Sequence, residues 1–178
     1  LDAVTTGDEN TAVGYGSLGA NTEGVQNVSL GANSLKLNTS GSNNIAIGQD
    51  ALSINTTGAR NIAIGRGAYD GADTENDNLA IGKEALGGAI AGGEFNVAIG
   101  NYTLDATTSG DYNVGIGYES LTSNTEGTEN TAVGYRSLYS NTTGLDNTAI
   151  GMHSLYSNVS GDKNVAIGDY SLYGNTAS

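Results

Sequence analysis

The chain lacks several residue types that most folded domains use. It has no proline, cysteine or tryptophan, one phenylalanine, Phe95, and one histidine, His153. Without cysteine, it can form neither a disulfide nor a thiolate metal site. Proline removes a backbone donor from a strand, so its absence suits a continuous stack of hydrogen-bonded strands. No apolar run approaches the length of a membrane span, and we therefore expect no membrane insertion.

Positive charge is also scarce in this sequence. Six Lys and Arg residues against 19 Asp and Glu residues give a formal net charge of −13. Because proteins bind nucleic acid phosphates through clustered Lys and Arg, this composition argues against nucleic acid as a partner. A strongly negative surface favours solubility and makes separate copies repel one another.

The sequence is dominated by an internal repeat. Asparagine recurs at Asn10, Asn27, Asn44, Asn61, Asn78, Asn96, Asn113, Asn130, Asn147 and Asn164. The spacing is 17 residues throughout, except for 18 residues from Asn78 to Asn96. We number the repeat from this asparagine, which is position 0, to position 16. Position 2 is small, position 3 is Val, Leu or Ile, position 4 is always Gly, and position 8 is Leu in nine of ten repeats. Such a period predicts a solenoid of stacked coils.

Each repeat is too short for two helices and their connections. Positions 1 to 3 are rich in Val and Ile and predict a short strand, which the glycine at position 4 ends. Ser-Leu at positions 7 and 8 predicts a second strand, and Asn-Thr-x-Gly at positions 11 to 14 predicts a turn. We therefore predict one domain, 1–178, with an all-β fold: a parallel β-solenoid, or β-roll, of about ten 17-residue coils with two short strands per coil. The stacked asparagines should hydrogen-bond along the coil axis.

The first strand is apolar on both faces, because positions 1 and 3 are bulky and position 2 is small. A strand of this kind is normally covered on both sides. We therefore predict lateral self-association through the small-residue face, from Ala12 to Ala166. The chain also begins and ends within a repeat, at Leu1 and Ser178. Uncapped coils expose strand edges, which predicts either a segment of a longer fibre or a subunit that stacks head to tail.

Several repeats resemble those of a known family. The segments are Asn-Thr-Ala-Val-Gly at 10–14, Asn-Ile-Ala-Ile-Gly at 44–48 and 61–65, and Asn-Val-Ala-Ile-Gly at 96–100 and 164–168. They resemble the head repeats of trimeric autotransporter adhesins, which are left-handed parallel β-rolls assembled as trimers. Ser-Leu-Tyr-Ser-Asn-Thr-Thr-Gly at 137–144 is similar to repeats of bacteriophage or bacterial tail-fibre proteins. The resemblance implies a homotrimer that is extracellular, on a cell surface or on a virion, with a cell-surface glycan or receptor as a further partner. The 17-residue unit here is longer than the adhesin repeat.

Three groups of residues are candidates for ligand binding. A threonine row at position 12 resembles a water-ordering, ice-binding array, although Asp73, Ile90 and Val159 interrupt it. A tyrosine row at position 9, with two tyrosines at position 5, offers aromatic rings to a sugar or a partner. Carboxylates of the irregular fourth coil offer oxygen ligands to calcium. The threonine row contains Thr5, Thr22, Thr39, Thr56, Thr108, Thr125, Thr142 and Thr176. The tyrosines are Tyr139, Tyr156 and Tyr173 at position 9, with Tyr118 and Tyr135 at position 5. The candidate calcium ligands are Asp73, Glu75 and Asp77, with Asp70 nearby. The insertion at 87–95 is a further place for a displayed loop.

Catalytic patterns are not apparent. His153 falls at a turn position without a neighbouring nucleophile, and serines such as Ser17, Ser34 and Ser137 recur at position 7 as small fillers. The glycines do not form a phosphate-binding loop followed by a helix. We therefore expect no catalytic residues and no cofactor. The sequence predicts a non-enzymatic structural or adhesive fibre module, which self-associates as a trimeric shaft or head or as a head-to-tail extracellular filament. The alternative is an ice-binding or glycan-binding solenoid surface.

Overall fold

One three-residue strand occupies positions 1 to 3 of every repeat. The computed structural model describes residues 6–88 and 93–176, so that Leu1, Thr5, Ile90 and Ser178 lie outside the described residues. The strands are β1 Thr11–Val13, β2 Val28–Leu30, β3 Ile45–Ile47, β4 Ile62–Ile64, β5 Leu79–Ile81, β6 Val97–Ile99, β7 Val114–Ile116, β8 Thr131–Val133, β9 Thr148–Ile150 and β10 Val165–Ile167. They form a single parallel sheet in chain order. The predicted all-β parallel solenoid is confirmed, and the described residues contain no helix.

The register of the sheet follows the repeat. Each residue of a strand pairs with its equivalent one repeat later, as Ile45 does with Ile62 and Ala46 with Ala63. The glycine at position 4 then ends the strand, with φ between +115° at Gly168 and +143° at Gly31. This region of φ is accessible to glycine and strained for other residues. The invariant glycine therefore fixes where every coil turns.

The predicted second strand is absent from the described coils. Ser-Leu at positions 7 and 8 forms a turn, because the leucine adopts a left-handed conformation, with φ of 48° at Leu18 and 52° at Leu121. A strand requires strongly negative φ, so this residue cannot continue one. The backbone N–H of Leu18 still donates to the carbonyl of Ser34 in the next coil, at 3.1 Å. A left-handed leucine costs about 1–2 kcal/mol, and its burial, worth about 1.5–3 kcal/mol, offsets that cost.

The alanines at position 2 lie inside the coil. Ala46, Ala63 and Ala132 are fully buried, as are leucines such as Leu35 and Leu121 at position 8. The prediction of lateral contact through the Ala12-to-Ala166 face is therefore wrong. The coil is narrow, so the small side chain faces inward and the Val and Ile side chains at positions 1 and 3 face outward.

Two asparagine ladders form the polar side of the interior. At position 0, Asn44 donates its backbone N–H to Asn27 Oδ1 at 3.0 Å, which confirms the predicted bonding along the stack. At position 11, Asn38 Nδ2 donates to Asn21 Oδ1 at 2.8 Å. The two ladders meet at the carbonyl of position 14, where Gly41 accepts from Asn27 Nδ2 at 2.8 Å and from Asn38 Nδ2 at 2.9 Å. Buried amides thus bond both within a coil and between coils.

The fourth coil replaces three residues of this interior together. Tyr69 stands for the leucine of position 8, Ala72 for the asparagine of position 11 and Glu75 for the glycine of position 14. All three are buried. Asn78 Nδ2 donates to the Tyr69 hydroxyl at 2.5 Å, so the phenol bonds to the position-0 ladder of the next coil. Burial raises the pKa of the Tyr69 hydroxyl far above its ordinary value, and the phenol stays neutral.

Thr103 and Gly115 show how tightly the interior is filled. Position 7 is Ser or Ala in nine coils and Thr103 in the sixth, and position 2 of the next coil is Gly115. A Cβ on Gly115 would lie 2.6 Å from Thr103 Cγ2. Gly115→Ala should therefore destabilise the protein, and Thr103→Ser should restore it by removing that methyl group. We expect a coupling of roughly 0.5–3 kcal/mol, measured by a double-mutant cycle in chemical denaturation. Strictly additive effects would contradict this packing.

Candidate functional surfaces

The bulky side of the sheet is exposed along the described coils. We define the outer face as the side chains at positions 1 and 3 of β1 to β10. At the two ends of the sheet, Val13 is 56 % and Ile167 is 69 % exposed, while in the middle each side chain is partly covered by its neighbours in the stack. Its members are Thr11, Val13, Val28, Leu30, Ile45, Ile47, Ile62, Ile64, Leu79, Ile81, Val97, Ile99, Val114, Ile116, Thr131, Val133, Thr148, Ile150, Val165 and Ile167.

The outer face carries no charge in a chain whose net charge is −13. Ten strands spaced about 4.8 Å apart make it about 43 Å long. A contiguous exposed apolar patch of this extent usually marks a site of association. The outer face follows the whole ten-stranded sheet, on the side of the strands opposite to the one that the sequence predicts for association.

The two borders of the outer face differ in charge. The border at position 5 contains Arg66 and Lys83 and one acidic residue, Asp169. The border at position 16 contains four acidic and two basic residues: Glu9, Asp77, Glu129, Asp146, Arg60 and Lys163. The face is therefore flanked by one weakly positive and one negative border.

The tyrosines of the last coils form stacked rows, as their spacing predicts. Ring centroids lie 5.0 Å apart in Tyr139–Tyr156 and 5.1 Å apart in Tyr156–Tyr173, with interplanar angles of 3° and 12°. Tyr118 and Tyr135 stack at 5.6 Å. A sugar packs against the face of an aromatic ring, and in these rows neighbouring rings pack against those faces. The rows therefore join coils, and glycan binding stays a prediction.

The threonines at position 12 also bond along the rod. Thr39 Oγ1 donates to the carbonyl of Thr56 at 3.0 Å, and Thr125 Oγ1 donates to that of Thr142 at 3.1 Å. Their hydroxyl protons are thus used between coils and are not offered to an ordered water layer. Ice binding stays a prediction that these contacts do not favour.

The candidate calcium ligands Asp73, Glu75 and Asp77 are engaged elsewhere. Glu75 Oε2 accepts from the backbone N–H groups of Asp73 and Thr74, both at 3.0 Å. Asp77 accepts two hydrogen bonds of 2.7 Å from Arg60, which hold the pKa of the Asp77 carboxyl below its ordinary value. Across 6–88 and 93–176, no three His, Cys, Asp or Glu side chains are grouped to hold a metal.

The other candidates from the sequence are His153, the serines at position 7 and the insertion at 87–95. His153 packs among tyrosine rings, 5.3 Å from Tyr135 and 5.2 Å from Tyr156. At position 7, Ser137 Oγ donates to the carbonyl of Ala149 at 2.8 Å, so this serine joins successive coils. Of the insertion at 87–95, residues 89–92 lie outside the described part. The described surface has no enclosed pocket, and no helix there could span a membrane.

Sequence reasoning missed the second asparagine ladder. Asn-Thr-x-Gly resembles a simple turn, which hid the buried role of the asparagine at position 11. Its recurrence at a 17-residue spacing was the available signal, at Asn21, Asn38, Asn55, Asn124, Asn141 and Asn158.

Fold and surfaces together define a class of protein. The chain is a parallel β-solenoid repeat protein with 17-residue coils, one short strand per coil and a charge-free outer face. Comparisons with protein-family models, with curated proteins and with solved structures each found no match.

Proposed function

We propose that this chain is a non-enzymatic structural or adhesive fibre module whose copies associate side by side through the outer face. The observation that carries the proposal is the uncharged, mainly Val and Ile surface along all ten strands. In water, this surface is the part of the rod that gains most from being covered. A second copy of the chain offers an apolar surface of the same length and the same repeat.

The size of the outer face supports a copy as its occupant. With a length of about 43 Å from the strand spacing and a width of about 10 Å from the rise of three residues, the face covers roughly 430 Å². A standard stable interface takes about 800 Å² from each partner. The face would therefore supply about half of such a contact, and the residues of its two borders would supply the rest.

The borders favour parallel over antiparallel association. When two outer faces meet with parallel axes, the position-5 border of one copy lies beside the position-16 border of the other. At equal heights along the axis, Lys83 then faces Asp77 and Asp169 faces Lys163, whereas Arg66 faces Arg60. With antiparallel axes, each border meets its own kind, and the acidic borders repel. Parallel packing is also the arrangement expected of a trimeric shaft or head.

The repeats that resemble adhesin heads and tail fibres support the same assembly. Asn-Ile-Ala-Ile-Gly at 44–48 and 61–65 builds the outer face and its turn in this structure. We propose a parallel homotrimer, located outside the cell, on a cell surface or on a virion, where it acts as a shaft or a head.

The test is to make the outer face polar without disturbing the stack. Ile64 and Ile81 pair in neighbouring strands, so Ile64→Glu combined with Ile81→Lys places opposite charges side by side within one chain. We expect this variant to keep its circular dichroism spectrum and to sediment as a monomer, because association would bury the charged pair. The matched control, Ser40→Glu with Thr57→Lys, introduces the same charges at position 13 of neighbouring coils, where both residues are exposed.

Sedimentation equilibrium distinguishes the outcomes. The control should keep the wild-type oligomeric mass, and the outer-face variant should lose it. If both variants keep the oligomer, the outer face is not the contact.

A further inference from the structure

Three tyrosines at position 9 form a ladder along the last coils. Tyr139, Tyr156 and Tyr173 come from three successive coils, and their rings stack almost parallel at 5.0 and 5.1 Å. The backbone holds them at one repeat spacing: Ser123 donates to the carbonyl of Tyr139 and Ser157 donates to that of Tyr173, at 3.2 and 3.1 Å. Three phenols are thus kept side by side by the fold itself.

This arrangement has a chemical consequence that single exposed tyrosines do not have. Two phenols that are oxidised by one electron each can join through a carbon–carbon bond only if their rings meet. In the ladder they meet without diffusion, because each ring is the nearest neighbour of the next. Tyr173 is 42 % exposed, so an oxidant in solution can reach the row.

We propose that Tyr139, Tyr156 and Tyr173 form an oxidative cross-linking site, at which neighbouring rings become covalently joined as dityrosine. Each of two tyrosines loses one electron and its phenolic proton, and the two phenoxyl radicals couple at ring carbons next to the oxygens. The hydrogen atoms at those carbons then move to the oxygens and restore both phenols. The oxidant is hydrogen peroxide used by a peroxidase, and it takes two electrons and two protons to give two waters. The net loss from the protein is two hydrogen atoms.

The cross-link would supply what the sequence otherwise lacks. With no cysteine, the chain has no disulfide with which to join its coils. A bond between positions 9 of neighbouring coils closes a loop of one repeat and prevents the coils from separating. The proposal is independent of the outer face, because the tyrosines lie in the turns after the strand.

The chain also contains two natural controls. Phe95 and Tyr112 stack in the same way, at 5.0 Å and 3°, but phenylalanine has no phenol to oxidise. Tyr15 is the most accessible of the exposed large side chains, at 87 %, and it belongs to none of the stacked pairs found in the described residues. The Phe95–Tyr112 pair tests whether two phenols are needed when the rings are already stacked. Tyr15 tests whether exposure without a stacked partner is enough.

The experiment treats the intact protein with a haem peroxidase and hydrogen peroxide, followed by trypsin and mass spectrometry. Cleavage after Arg136 and Lys163 places Tyr156 in peptide 137–163 and Tyr173 in peptide 164–178. We expect these two peptides to appear joined, lighter by two hydrogen atoms, within single chains on a denaturing gel. Tyr156→Phe should abolish the joined product, whereas Tyr15→Phe should leave it unchanged.

A gain-of-function variant keeps the test decisive. Phe95→Tyr should create a cross-link between residues 95 and 112, because only the missing phenol prevents it. Fragmentation of peptide 84–136 separates this link from one between Tyr118 and Tyr135, which lie in the same peptide. The proposal is overturned if wild-type protein gives no joined peptide, if Tyr156→Phe gives as much of it, or if oxidation joins separate chains mainly through Tyr15.

Discussion

Gly100→Val should unfold the coils around it, whereas Gly19→Val should be tolerated. Gly100 has a φ of 136°, and a Cβ there would lie 2.3 Å from the carbonyl oxygen of Gly117 in the next coil. The backbone of Gly100 and that of Gly117 both belong to hydrogen-bonded coils, so neither can move without breaking hydrogen bonds between the coils. Conformational strain alone costs about 1–3 kcal/mol, and with the clash we expect a loss above roughly 4 kcal/mol.

Gly19 is the matched control. Its nearest non-neighbouring atom to a built Cβ is the carbonyl oxygen of Gly16 at 3.3 Å, and its φ is not positive. The equivalent residue of the seventh coil is Thr122, which is β-branched like valine. We expect a change within about 1 kcal/mol for Gly19→Val. Thermal unfolding followed by circular dichroism, with hydrogen exchange to localise the damage, compares the two. Equal tolerance would mean that the turn at position 4 is placed wrongly.

Asn113→Ala should be the most damaging substitution of a polar side chain. Asn113 Nδ2 donates to Gly127 O at 2.8 Å and to Asn96 Oδ1 at 3.2 Å. Its Oδ1 accepts from the backbone N–H of Asn130 at 3.1 Å and from Asn130 Nδ2 at 3.2 Å. Alanine removes all four bonds and leaves the buried backbone N–H and Nδ2 of Asn130 without this acceptor. An orphaned buried group costs about 1–3 kcal/mol, and with the lost bonds the total should reach roughly 3–5 kcal/mol.

Asn101→Ala removes the same side chain from an exposed turn. Asn101 Oδ1 accepts one hydrogen bond, from the backbone of Lys83 at 2.8 Å, and the second coil has Ala32 at the same position. We expect a loss of less than about 1 kcal/mol here. The difference between the two midpoints in urea denaturation measures the ladder. If Asn113→Ala is as mild as Asn101→Ala, the buried amide network does not hold the coils together.

The repeat period was sufficient to predict the fold class. A spacing of 17 residues from Asn10 onwards, with Val and Ile before an invariant glycine, predicts both the strand and the coil that contains it. The repeat period does not show that the second strand is absent, because Ser-Leu is compatible with a strand. Only the left-handed φ of leucines such as Leu18 shows this. That conformation is imposed by closure of the coil, which local propensity does not record.

The sequence also did not show which face of the strand is turned toward the inside of the coil. Alternation shows that Ala46 faces away from Ile45 and Ile47, but it does not show which side is inside when both are apolar. The available space decides, since the interior must also hold Leu52 and two asparagine ladders. The sequence therefore predicts association on the alanine side, whereas the surface that we propose for association lies on the opposite side. By contrast, the stacking of Tyr139 on Tyr156 follows from the repeat spacing alone.

The mass of the wild-type protein in solution shows whether its copies associate. One chain has a mass of 17.9 kDa. If the outer face associates copies in parallel, sedimentation equilibrium should give three times that mass over a wide range of concentration and at physiological salt, because apolar contact is little screened. A mass of one chain at every concentration would show that the outer face stays exposed to water, and it would rule out association of copies through this face.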